Sequence, residues 1–110
     1  MKLAPIEDVI AAIKRGEMIV LVDDEDRENE GDLVMAAECV DAQSIAFMAT
    51  KGCGLVCVSM EGSMLDRLGL PLMTRDSRAH LSTAFTLSID GSDPSITTGI
   101  SASEPGVCQV

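Results

Sequence analysis

Residues 18–37 read MIVLV, then DDEDRENEGD, then LVMAA, so that ten polar residues at 23–32 are bounded by two apolar runs. Met18, Ile19, Val20, Leu21 and Val22 are continuous, apolar and rich in β-branched residues. Such a run predicts a short strand buried on both faces. Residues 33–37 resume as a second strand, or as a strand turning into a loop. Seven of the chain's 18 acidic residues fall within 23–32. Like charges at that density repel one another, so a merely solvated hairpin tip fits poorly and a counterion is called for, either a metal or a cationic partner.

Upstream of this stretch, Pro5 suits the first turn of a helix, and Ile6, Val9, Ile10 and Ile13 follow at helical spacing. Lys14 and Arg15 complement the helix C-terminus and Gly16 supplies the stop. Downstream, Asp41 is the N-cap of a helix expected over 42–50, with Ile45, Phe47, Met48 and Ala49 on its apolar side. Residues 55–59 read as another buried strand, and residues 61–68 as a short helix stopped by Gly69 and Pro71. Residues 73–82 are polar and loop-like, 84–89 form a strand, and the turn-forming residues 90–94 close it. Helices alternating with strands predict an α/β (α+β layered) domain whose mixed β-sheet is flanked by helices. Only residues 102–110 follow the strand-like stretch 95–101, so the sheet is expected to be incomplete at the C-terminus.

Composition narrows the chemistry. A chain of 110 residues is one domain or a piece of one. With two Phe and no Trp or Tyr, the core must rest on Val, Ile, Leu, Ala and the seven Met. No apolar run is long enough to span a membrane, and the first ten residues lack the apolar region of a signal peptide, so a cytoplasmic location is expected. The net charge of −10 argues against a nucleic-acid partner, which needs clustered Lys and Arg. Cys39, Cys53, Cys57 and Cys108 are expected to be free, mostly buried thiols. Zinc is not expected, because the only short spacing is C-x3-C. Met60, Met64 and Met73 are expected to fill the core.

An EF-hand can be tested against the acidic stretch by register. Starting at Asp26, Glu28 and Glu30 occupy positions 3 and 5 and Gly31 position 6, but position 12 is Ala37 where a bidentate Glu is required. The flanks are also strands rather than helices. A hard cation that uses few protein ligands remains: magnesium takes one or two carboxylates and leaves the rest of its shell to water and substrate. In an extended loop alternate residues face one way, which would put Asp26, Glu28 and Glu30 on one side. Arg27 offers a fixed fork of donors for a phosphate or carboxylate. The residues thus point to a magnesium-assisted enzyme acting on a small anionic substrate, without naming the reaction.

The run VLVDDEDRENEGDLVMAAE resembles the signature of the 3,4-dihydroxy-2-butanone 4-phosphate synthases of riboflavin biosynthesis, and GLVCVSM, LGLPLM, STAFTLSID and TTGIS follow in the family's order. The resemblance covers residues 5–101, expected to be the N-terminal portion of a single synthase domain, with 102–110 a divergent tail. It implies a lyase that converts D-ribulose 5-phosphate into 3,4-dihydroxy-2-butanone 4-phosphate and formate, with magnesium (or manganese) as cofactor and a homodimer as the assembly. By position it implies Glu28 as metal ligand and Arg27, Glu28, Asp32 and Thr98 as substrate contacts. Cys57 matches a cysteine lining the pocket, and Glu30, with Asp23 and Asp26, is a candidate for moving protons. The sequence departs from the family after TTGIS, where Ala-Asp-Arg would be expected and Ala102-Ser103-Glu104-Pro105 stands instead. The histidine that would be the second metal ligand, the phosphate-site Thr and Arg after it, and a late catalytic Glu have no counterpart. Cys53 stands where Ser or Thr is usual. His80, the only histidine, precedes a strand and is expected to be a loop residue rather than a ligand. The chain is therefore expected to be inactive alone; the alternative is a non-enzymatic product that binds magnesium weakly or pairs with a full-length subunit.

Overall fold

Two glycine stops and one aspartate cap set the limits of the helices. α1 spans Ile6–Lys14, with Pro5 just outside it in an extended conformation rather than in its first turn. Gly16, at φ +76°, ends it: the Gly16 amide donates to the Ile13 carbonyl at 2.9 Å and the Glu17 amide to the Ala12 carbonyl at 3.0 Å. This is the paired reverse bonding that a left-handed glycine allows after a helix. Arg15, just past the helix, meets the Glu17 carboxylate through two contacts, at 2.6 and 2.9 Å. The pair holds the Glu17 carboxyl below and the Arg15 guanidinium above their ordinary values, the side-chain hydrogen bond being the main cause.

The computed structural model describes residues 3–74, 84–90, 92 and 94, in two compact units, Met1–Gly52 and Cys53–Val110. In the first unit α1 leads into β1, Ile19–Val22, which pairs antiparallel with β2, Gly31–Val34. The register sets Val20 opposite Leu33, Leu21 opposite Asp32 and Val22 opposite Gly31. A short 3₁₀ turn, Ala37–Cys39, precedes α2, Ala42–Phe47. Asp41 caps α2 as expected: its carboxylate accepts from the Ser44 amide at 2.8 Å and the Ser44 hydroxyl at 2.6 Å. α2 is shorter than the sequence predicts. Beyond Phe47 the chain widens into a π-type turn, Met48–Gly52, where the Thr50 hydroxyl donates back to the Ala46 carbonyl at 2.7 Å. Leu33 packs over the end of this turn, its Cδ1 lying 3.5 Å from where a side chain on Gly52 would begin.

In the second unit α3, Gly62–Leu68, ends at Gly69 with φ +65° and the same pair of reverse bonds. Residues 71–73 and 85–87 then lie antiparallel, with the Met73 amide donating to the Phe85 carbonyl at 2.9 Å and the Leu87 amide to the Pro71 carbonyl at 3.2 Å. Thr86, between them, is buried, and its hydroxyl is satisfied by the Leu87 carbonyl at 3.0 Å.

The structure has helices and a sheet, as the α/β reading requires, but several expectations change. The regular sheet among the described residues is the β1–β2 hairpin, and its pairing is antiparallel. Residues 55–59 carry a bridge residue at Cys57, and 84–89 carry two, Thr86, which pairs with Leu72, and Ile89, instead of regular strands. Their apolar composition is right for strands, but a strand is defined by a continuous hydrogen-bonded neighbour, and composition does not supply one. Met64 and Met73 are exposed, and so are Cys39, Cys53 and Cys57, none of them in a disulfide. β1 is also exposed along Val20, Leu21 and Val22, against the expectation of a buried strand. No helix among the described residues is long and apolar enough to cross a membrane. His80, Thr98, Cys108 and the tail 102–110 lie outside the described residues.

Candidate active site

The acidic stretch occupies the connection between β1 and β2, and it is not extended. The Asp23 amide donates to the Glu30 carbonyl at 3.0 Å, carrying the hairpin ladder one step past Val22. Within that closure residues 25–28 form a turn, in which the Arg27 amide donates to the Asp24 carbonyl at 3.0 Å and the Asp26 amide to the Asp24 carboxylate at 2.9 Å. Asn29 leaves the turn at φ +52°, a left-handed conformation that asparagine tolerates better than most residues. Alternate residues therefore do not share a side as they would in an extended loop. Aspartate side chains that accept from the backbone two residues on favour turns, and here they override the extended form.

Asp23 organises the turn from beneath. One of its oxygens accepts the Asp24 amide at 2.7 Å and the other the Glu28 amide at 3.2 Å. The second oxygen also lies 3.6 Å from Arg27 Nε. Its side chain is only 21% exposed, against 57% for that of Arg27. A single carboxylate thus fixes the backbone of Glu28 and the direction of Arg27. The pattern Asp-Asp-x-Asp signals a turn built on aspartate side chains, and it is the sequence cue by which this role of Asp23 could have been found.

A groove opens over the turn. Its lining runs from Leu3 and Val22 over Asp23, Asp24, Glu25 and Asp26 to Asn29, Glu30 and Gly31. Glu30 and Asp26 therefore share a cavity with Asp23, whereas Arg27, Glu28 and Asp32 are not part of its wall. Asp32 lies on β2 directly across from Leu21, next to the turn in sequence. Cys57 is in the second unit, exposed, with its thiol 3.9 Å from the Leu55 carbonyl.

The donor set is all oxygen, which suits magnesium or manganese and not a soft metal. Among the described residues no three Asp, Glu, His or Cys side chains converge on a point that could hold an ion. The turn therefore fits a cation that takes one or two carboxylates and draws its other ligands from water and substrate, and does not fit a protein-built cage.

Residues 7–106 match the family model for 3,4-dihydroxy-2-butanone 4-phosphate synthase. The synthase of that name from Agrobacterium fabrum is 54% identical over 104 residues, which are 94% of this chain and 48% of the relative. The synthase of Neisseria meningitidis serogroup B is 49% identical over 102 residues, 93% of this chain and 28% of the relative. The chain thus spans about half, or less, of the length of these relatives. A crystal structure of a 3,4-dihydroxy-2-butanone 4-phosphate synthase in complex with two magnesium ions superposes with a TM-score of 0.88 at 43% identity, over 94% of this chain and 48% of that one. RibBX, a two-domain synthase from A. baumannii, superposes with a TM-score of 0.82 at 44% identity, over 93% of this chain and 30% of that one. On the extent of the family match and the identity of these relatives, the chain belongs to the 3,4-dihydroxy-2-butanone 4-phosphate synthase family.

Proposed function

We propose that the turn between β1 and β2 is part of the active site of a lyase that converts D-ribulose 5-phosphate into 3,4-dihydroxy-2-butanone 4-phosphate and formate, in the service of riboflavin synthesis. The reaction splits a pentulose phosphate into a butanone phosphate and formic acid whose atoms sum to those of the substrate, so it needs neither an oxidant nor a water molecule. The observation that carries the proposal is the hold of Asp23 on its neighbours: it fixes the Glu28 backbone at 3.2 Å and pairs with Arg27 at 3.6 Å, inside the span that matches the family.

Arg27 is exposed enough to reach a sugar phosphate while its guanidinium stays tethered to Asp23. Glu28 would hold the magnesium, with manganese an alternative of the same oxygen preference. Bound there, the ion would polarise the substrate carbonyl and make the neighbouring C–H more acidic. Glu30 lines the groove and is the candidate to take and return the carbon-bound proton, with Asp26 beside it. Asp32 is the candidate to hold a substrate hydroxyl, and Thr98 and Cys57 are further candidates for the phosphate region and the pocket wall.

The test is a chimera. Residues 7–106 replace the matching segment of the A. fabrum synthase, and formate release from ribulose 5-phosphate is followed with magnesium present. Activity within about tenfold of the parent, abolished by chelation, supports the proposal. A folded chimera without activity overturns it.

A further inference from the structure

Asn29 stands between two carboxylates with different proposed tasks, Glu28 for the cation and Glu30 for the proton. Its φ of +52° is left-handed, and among the described residues only Cys53 shares that region without being glycine. One residue holds this conformation from both sides. The Glu28 amide donates to the Asp23 carboxylate at 3.2 Å, and the Asp23 amide donates to the Glu30 carbonyl at 3.0 Å. Neither bond uses the Asn29 side chain, so the closure asks of position 29 a backbone angle and not a functional group. Most L-residues resist that angle, glycine accepts it freely and asparagine tolerates it.

In extended backbone, residues 28 and 30 would project to the same side. Here Asn29 and Glu30 line the groove over the turn, with Asp23 and Asp26, and Glu28 does not. The separation has a chemical consequence. Magnesium accepts one or two carboxylates, so a second glutamate beside Glu28 would be drawn onto the ion. A carboxylate next to a divalent cation holds a proton poorly and makes a weak base. Resting on the roles argued above for Glu28 and Glu30, we propose that Asn29 is a positioning residue for the reaction. Its left-handed backbone keeps Glu30 apart from Glu28, so that one carboxylate serves the cation and the other remains free to move the substrate proton.

In the chimera, Asn29→Ala and Asn29→Gly separate backbone from side chain, since both remove the amide and only glycine takes the left-handed angle without strain. Asn29→Ala is expected to lower kcat about tenfold with a smaller change in KM, and Asn29→Gly to recover most of that loss. A second measurement needs no turnover. Glutamate is labelled with ¹³C at the side-chain carboxyl, the Glu28 and Glu30 signals are assigned through Glu28→Gln and Glu30→Gln, and substoichiometric manganese is added. In the parent and in Asn29→Gly the ion is expected to broaden Glu28 far more than Glu30. In Asn29→Ala it is expected to broaden the two alike. Equal losses of kcat in the alanine and glycine variants, or no loss in either, overturn the proposal. So does manganese that broadens Glu28 and Glu30 equally in the parent, or that still spares Glu30 in Asn29→Ala. These results leave the metal role of Glu28 standing, whereas a Glu28 signal untouched by manganese in the parent overturns that role and the proposal together.

Discussion

The acidic turn and the strand that leads into it are adjacent in sequence and are held in different ways. The turn is fixed by bonds no more than seven residues apart in sequence, from Asp23, Asp24 and Glu30 to neighbouring amides. β1 is fixed on one edge by β2, while Val20, Leu21 and Val22 present their side chains outward. Local side-chain-to-backbone bonds need only the residues that make them. Apolar burial needs surface from elsewhere, and it contributes about 25 cal/mol for each Å² removed from water only when that surface arrives. The turn is thus held by its own residues, whereas the apolar side chains of β1 are left exposed.

The largest effect should come from breaking the turn's chemistry while leaving its shape. In the chimera Glu28→Gln keeps the amide that donates to Asp23 and removes the charge. Formate release should fall by about two to three orders of magnitude, the scale seen when one preorganised electrostatic group is lost from an active site. Melting temperature should hardly move. Arg27→Lys keeps the charge but loses the planar fork, so KM should rise with a smaller change in kcat. If Glu28→Gln stays fully active, the metal role of Glu28 is wrong and the turn is a structural feature.

Breaking the shape itself comes next. Asp23→Ala removes both acceptors at once, leaving the Asp24 and Glu28 amides to water. Trypsin, which cleaves after Arg27, reports on this directly. Cleavage there should quicken by about tenfold, as expected when local opening becomes easier by a little over 1 kcal/mol. An unchanged rate would mean that the ladder bond between Asp23 and Glu30 holds the turn without the carboxylate.

This contrast also explains what the sequence did and did not disclose. The helix limits at Gly16, Asp41 and Gly69 were legible because each depends on one residue's conformational freedom or hydrogen-bonding side chain. The hairpin was legible from two apolar runs around a polar one. The turn inside it is hidden, because the density of charge suggests an extended loop while the bond from the Asp26 amide to the Asp24 carboxylate makes a turn. Residues 55–59 and 84–89 have the composition of strands, yet strand formation is settled by partners distant in sequence. Glu28, Arg27 and Glu30 stand out through their family signature, which suggests for Asp23 only proton transfer and gives no sign of its bonds to all three.

A smaller effect tests the close packing behind β1. Gly16 combines a left-handed backbone with a crowded site, since a side chain there would begin 3.0 Å from Cys39 Sγ and 3.2 Å from Cys39 Cβ. Gly16→Ala should destabilise the chimera by about 1–2 kcal/mol from the backbone conformation alone. Cys39→Ala in the same background should recover only the part of the steric cost due to Sγ, since alanine keeps the Cβ at 3.2 Å. Full recovery would show that the backbone strain is negligible at this position.

The smallest effect is one of pH, at the cap of α2. The Ser44 hydroxyl, and after it the Ser44 amide, hold the Asp41 carboxyl below its ordinary value of 3.8. The folded chain therefore binds this proton less readily than the unfolded chain. The stabilising contribution is complete above the unfolded value and is lost as the pH falls through the lower folded one. Asp41→Asn keeps an acceptor for the Ser44 amide but cannot titrate, so the comparison isolates the charge. Its melting temperature should lie below that of the parent by on the order of a few degrees at pH 7. The gap should narrow steadily below about pH 4, where unfolded aspartate begins to protonate. A gap constant with pH would mean that the cap acts through geometry alone. Ser44→Ala should then cost about as much at pH 3 as at pH 7, whereas a charge-assisted bond requires its effect to shrink in acid.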